Sequence, residues 1–216
     1  MRRIVLPILL VLAGCSVAKV LLRSANPALV AAAEGGDALA LSDTLERLIA
    51  EGQDTAADRA LAYEAVKNHK QDTAAYAFAR ASITGRLIQQ RGFRAARLLA
   101  EVEDFAQRSR ELDPNFRDAA ATRLLGTLYV LAPSKYLKHG DSELGLELLE
   151  DLVDKQPDIA DNHLRVAEAY LALSDPDPAR PHLCKCLEMR SRLRRDDAAL
   201  LDRLVADVGP LACAKK

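Results

Sequence analysis

Apolar residues recur along most of this chain with helical period, and turn signals cut the pattern at short intervals. Leu45, Leu48 and Ile49 follow Ser42-Asp43-Thr44 and Glu46, a start signal, and Gly52 marks the stop. A short helix over Pro27–Glu34 precedes them, between Asn26-Pro27 and Gly35-Gly36-Asp37. Further helices are predicted at 54–68, 72–90, 94–112, 118–131, 142–155, 161–173, 178–192 and 196–208. Gly92, Asp113-Pro114, Pro157 and Gly209-Pro210 end several of them. Ala and Leu dominate the apolar set, and the β-branched runs expected of strands are missing. The pattern therefore predicts an all-α fold over residues 26–210, with 211–216 as a tail.

In the second half the helices repeat in a fixed register. Leu125-Gly126 is followed by Tyr129, and Val166-Ala167 by Tyr170. Ala179 and Cys186 come after Ala167 at small positions where two antiparallel helices would cross closely. Counting on from Gly126 reaches a poor fit at Lys138, but seven residues further it reaches Gly145, then Leu152 and Pro157. The first unit therefore carries a seven-residue insertion, within the loop Ala132–Asp141. These units resemble the tetratricopeptide repeat, a helix–turn–helix of about 34 residues. The stretch 162–195 matches it best, 117–157 matches with the insertion, and 73–114 matches in general pattern. The resemblance implies repeats stacked in a short curved solenoid, with 196–208 as the cap on the last apolar face.

Composition adds a location. Arg2-Arg3 precede an apolar run from Ile4 to Ala13, then Leu12-Ala13-Gly14-Cys15. That order resembles a bacterial lipoprotein signal: residues 1–14 are removed, lipid is joined to the Cys15 thiol, and 15–25 tether the domain to a membrane. The run is too short to span a bilayer. Losing Arg2 and Arg3 takes the formal charge from −1 to about −3. Such a balance leaves no basic footprint for nucleic acid and no polybasic patch.

Cys184, Cys186 and Cys213 then remain in an oxidising compartment. Cys184 and Cys186 point apart on a helix and cannot bridge each other. A bridge from Cys213 to Cys184, or to Cys186, would tie down the tail. His182, Cys184 and Cys186 invite a metal reading, but residue 184 faces away from the other two, and Cys186 occupies a small core position. No zinc motif, phosphate-cradling glycine loop or nucleophile elbow is present. The expectation is a protein that is not an enzyme and needs no cofactor. Arg190, Arg192, Arg194 and Arg195 suit the carbonyls of a helix end. Arg80, Arg86, Arg91, Arg94 and Arg97 would rim a cleft or lie on the surface.

One segment narrows the resemblance. Asp113-Pro114-Asn115-Phe116, Leu125-Gly126-Thr127-Leu128-Tyr129, Ala132-Pro133, Gly140-Asp141 and Pro157 together resemble the periplasmic lipoprotein T component associated with TRAP-type transporters. That resemblance implies an all-helical, pore- or cleft-bearing lipoprotein that cooperates with a periplasmic solute-binding protein. The expected role is a lipid-anchored scaffold that binds a protein partner, or holds a small hydrophobic or acidic ligand in an internal cavity. The alternative is a structural or assembly lipoprotein of the cell envelope. Candidate contact residues are Tyr129, Lys135, Tyr136, Lys138, His139 and Asn162; Tyr170 is expected inside. The inserted loop either presents such contacts or packs on a helix through Tyr136 and Leu137.

Overall fold

Helix starts follow side chains that can accept from free backbone N–H groups. In the computed structural model, which describes residues 21–213 apart from the Phe93 side chain, Asn26 accepts from Ala28 at the head of α1 (Pro27–Glu34). Asp37 accepts from Leu39 and Ala40 at the head of α2 (Ala38–Glu51). The acceptor at Asp37 starts α2 well before Ser42, which sits buried inside the helix. Gly52 ends it in the left-handed conformation, φ 68°, which a glycine adopts without steric cost. Thr55 and Asp58 cap α3 (Ala56–Val66) reciprocally, and the other oxygen of Asp58 accepts from the Asn26 N–H at 2.6 Å. One buried carboxylate thus fixes the start of α3 and the approach to α1.

The chain continues through α4 (Ala74–Arg91), a 3₁₀ turn (Gly92–Leu98), α5 (Leu99–Leu112), α6 (Phe116–Leu131) and α7 (Ser142–Lys155). It ends with α8 (Ala160–Ala172), α9 (Pro176–Glu188), a 3₁₀ turn (Arg190–Arg192) and α10 (Arg195–Val208). The helices predicted from Arg94 and to Arg192 are thus shorter, each giving way to tighter turns. The lipid signal, Cys15 and most of the 15–25 tether lie outside the described residues, as does the end of the 211–216 tail; residues 21–24 are helical. No helix among the described residues is long and apolar enough to cross a membrane. Arg117, Asp118 and Ala119 hold left-handed φ of 50–56° at the start of α6. That strain costs roughly 1–2 kcal/mol per residue. The bidentate pair of Arg117 with Asp43 of α2, at 2.6 Å on each arm, helps hold the segment there.

The protein is all-α, built of helix–turn–helix units stacked in a short curved solenoid. α4 with α5, α6 with α7, and α8 with α9 form the closest antiparallel pairs. The first helix of each pair meets the first helix of the next, so α4, α6 and α8 line one side, with α2 before them. α10 covers the last pair, burying Leu201 and Leu204 against Leu164, Ala167, Ala179, Leu183 and Cys186. It also reaches back to α2, so the stack closes on itself.

Close crossings occur where the register of small residues places them. A Cβ on Gly126 would stand 2.9 Å from the Gly145 carbonyl oxygen, and one on Gly145 would stand 2.8 Å from the Gly126 oxygen. The insertion therefore leaves the pairing of α6 and α7 intact. In the last pair, Cys186 is buried, its Sγ 3.6 Å from the Ala160 oxygen, and burial pushes its thiol up to about 12. Cys184 is joined to Cys213, which ties the tail to α9. The Nδ1 atoms of His182 and His163 lie 3.0 Å apart. His163 Nε2 lies 2.8 Å from the Pro157 carbonyl oxygen, which can only accept, so Nε2 carries the proton. His163 Nδ1 is then bare, and His182 Nδ1–H donates to it. Burial lowers the pKa of both rings, and His163 lowers that of His182 further. Lys185 acts in the same direction on His163, against Asp158; Glu150 and Asp154 oppose the shift on His182.

Two outcomes follow. Gly145→Ala should cost about 1–3 kcal/mol in urea unfolding, because the added methyl meets backbone and cannot be accommodated by a side-chain move. The His pair is stable when both rings are neutral. Its contribution is whole above the unfolded value near 6.5 and declines as pH falls toward the lowered folded values. Unfolding free energy measured from pH 7.5 to 5.5 should fall, and the double variant His163→Gln, His182→Asn should flatten that slope.

Candidate functional site

The concave side of α2, α4, α6 and α8 holds a half-open cavity of about 420 Å³. Its wall is charged. Glu46 of α2 receives Arg86 of α4 at 2.6 Å and Arg194, at the head of α10, at 2.6 Å. Burial alone would keep Glu46 neutral, but hydrogen bonds and charge from Arg86 and Arg194 outweigh it and hold the carboxyl at about 2. Arg194 also reaches Asp197 at 3.2 Å, and Asp197 pairs with Arg165 of α8, which holds Glu168 at 2.8 Å. Arg195 donates to the Glu51 carbonyl at the end of α2. Of the arginines after α9, Arg195 alone meets a helix-end carbonyl; Arg190 pairs with Asp202, Arg192 donates to the Asp158 carbonyl in a loop, and Arg194 pairs with carboxylates.

A second cavity, of about 320 Å³, lies between α4, α5 and α6. Ile88, Leu99, Val102, Leu128 and Pro133 make it almost wholly apolar. The two cavities share Gly85, Gln89, Leu124, Thr127 and Leu131, so they lie side by side along α4 and α6. Arg123, one turn before Thr127, faces the charged cavity. It donates through Nη1 to Asn162 Oδ1 at 2.6 Å and to the Asp118 carbonyl at 3.3 Å. Among the described residues it has no carboxylate within ion-pairing distance; burial lowers its pKa, and Asp161 opposes that from further away.

The structure divides the candidate contact residues. Tyr129 is 4% exposed: its hydroxyl accepts from Gln107 and donates to Glu103, and its ring fills the space a Cβ on Gly140 would occupy. Asn162 is 0% exposed and holds Arg123 and the end of α7. Neither can meet a protein partner, because the small-residue register that identified them also places them between helices. Lys135, Tyr136, Lys138 and His139 remain at the surface. Their loop is pinned from beneath: the buried Glu103 of α5 accepts from the Lys138 and His139 N–H groups at 2.6 and 2.8 Å, and Leu137 packs on α5 and α6. Of the arginines near α4, Arg86 lines the cavity and Arg80 is buried against Glu101 at 2.7 Å; Arg91, Arg94 and Arg97 are exposed.

Arg123, Glu103 and Gly85 went unread in the sequence. Arg123 lies in an ordinary run of α6, and only the fold shows what stands opposite it. Among the described residues no group of three His, Cys, Asp or Glu converges as a metal would require. No protein-family model matches the sequence, and no curated protein matches it. The fold and the cavities define an all-α helical-repeat protein with a charged central cavity and an apolar side chamber.

The closure has a measurable acid signature. Glu46→Gln should destabilise the fold by roughly 2–4 kcal/mol at pH 7, leaving Arg86 and Arg194 without their carboxylate. Glu46 contributes fully above the unfolded value near 4.5, and that contribution is lost as pH falls toward about 2. The gap between wild type and variant in chemical unfolding should therefore shrink below pH 4.5.

Proposed function

We propose that the protein is a lipid-anchored, periplasm-facing helical-repeat protein that binds without catalysing. In this reading it serves as an accessory to the solute-binding protein of a TRAP-type transporter. The observation that carries the reading is the paired cavity. About 320 and 420 Å³ fall within the range of small-molecule sites, and both are built from packed helices. Glu46, Arg86 and Arg194 tie the ends of the stack together and bound the charged cleft on that side.

The segment that resembles the transporter lipoproteins supports the same reading, because its residues build this part of the fold. Gly126 makes the close crossing, Tyr129 and Gly140 seat the inserted loop, and Pro133 lines the apolar chamber. Lys135, Lys138 and His139, exposed, and Tyr136, half-buried, then form a rim suited to a protein contact. Anchoring rests on the Arg2-Arg3, apolar run and Cys15 order.

Cross-linking in the protein's own membranes, followed by affinity capture and mass spectrometry, tests the role. A TRAP-type solute-binding protein or permease is expected among the products. Envelope-assembly proteins without any transporter component would instead favour the structural role. The paired substitution Tyr136→Ala, Lys138→Ala should weaken partner capture and leave the melting temperature nearly unchanged, since Glu103 holds the loop by its backbone. Cys15→Ser should move the protein from the membrane to the soluble fraction.

A further inference from the structure

Gly85 lies in the middle of α4, where glycine is a poor helix residue. The usual reasons for a glycine are absent. Its backbone is not left-handed, and a Cβ built there would meet nothing within 4 Å. Gly85 lines both cavities, so its missing side chain leaves space where the two adjoin, the neck of the site inferred below. Thr127 and Leu124 face it from α6.

Among the described residues, Arg123 is the arginine of the charged cavity's lining that forms no ion pair. Asp43 is taken by Arg117, Glu46 by Arg86 and Arg194, and Glu168 by Arg165. Arg123 keeps Nε and Nη2 without a hydrogen-bond partner among the described residues, while Asn162 fixes its other arm. Asp161 lines the same wall, beyond ion-pairing distance of Arg123. A fixed guanidinium edge presents two donors in the geometry a carboxylate accepts. Beyond the neck there is almost no polar surface for a ligand to bond.

We infer that the two cavities form one site for an amphiphilic anion: an aliphatic carboxylate whose head pairs with Arg123 and whose tail passes Gly85 into the apolar chamber. This rests on the binding role proposed above and names its ligand class. The carboxylate pairs with the half-buried guanidinium edge of Arg123. The tail gains by leaving water, so each added methylene tightens binding about 4-fold until the chamber is full. Recognition by one charge and a tail makes the site selective for head sign and tail length.

The test is calorimetric titration of the full chain in phosphatidylcholine nanodiscs, with empty nanodiscs subtracted, using hexanoate, octanoate, octanol and octylammonium. Octanoate should bind at least 10-fold more tightly than octanol, and about 4-fold per methylene more tightly than hexanoate. Arg123→Gln should lose at least 10-fold for octanoate and little for octanol. Gly85→Leu fills the neck without a backbone clash; it should abolish binding of both while leaving the melting temperature equal or higher. Preference for octylammonium would overturn the inference by making Asp161 the recognising group. Unchanged octanoate binding in either variant would overturn the placement, and no binding by wild type would overturn the ligand class. A failure confined to this titration leaves the cross-linking result standing, so the ligand and the transport role fail separately.

Discussion

The arrangement of this protein depends on one half-buried carboxylate. Glu46 of α2 accepts Arg86 of α4 and Arg194 at the head of α10, so elements far apart in sequence are held at a single point. A solenoid otherwise contacts only nearest neighbours, and its concave surface stays open. Here the end of the stack returns to its beginning. The desolvation of three charged groups is offset only because all of them are paired at once, which is why the geometry of the junction matters more than any one bond.

Beside that junction, the helix pairs are set by small residues. Gly126 and Gly145 bring two backbones together, and Ala167, Ala179 and Cys186 occupy the matching buried positions in the next pair. The insertion between α6 and α7 does not disturb this, because Glu103 receives its backbone N–H groups and Tyr129 closes over Gly140. A loop that departs from the repeat has thus become one wall of the apolar chamber, through Ala132 and Pro133.

Local features were legible in the sequence. Gly52, Pro157 and the spacing from Gly126 to Gly145 act through contacts within one helix or one hairpin, and they read correctly. Where two local signals competed, the reading slipped: Ser42 resembled a cap, but Asp37 is the acceptor that starts α2. The site was much less legible. Tyr129 and Asn162 were recognisable as special, yet their chemistry is turned inward, toward Glu103 and Arg123. Arg123 and Gly85 carry no local signal at all. Their meaning depends on which residue stands across a cavity, and that is set by the curvature of the whole stack.

Closure also fixes the number of repeats. Arrays of this kind ordinarily lengthen by duplication, since a new unit can be laid on any exposed end. In this chain α10 occupies the outer face of α8 and α9 while its first turn is bound to α2, and Cys213 secures the segment after it. An extra unit inserted anywhere would carry Arg194 away from Glu46 and break the closure of the stack. Descendants of such a gene could vary the lining residues freely, but they could not change the repeat count without giving up that closure.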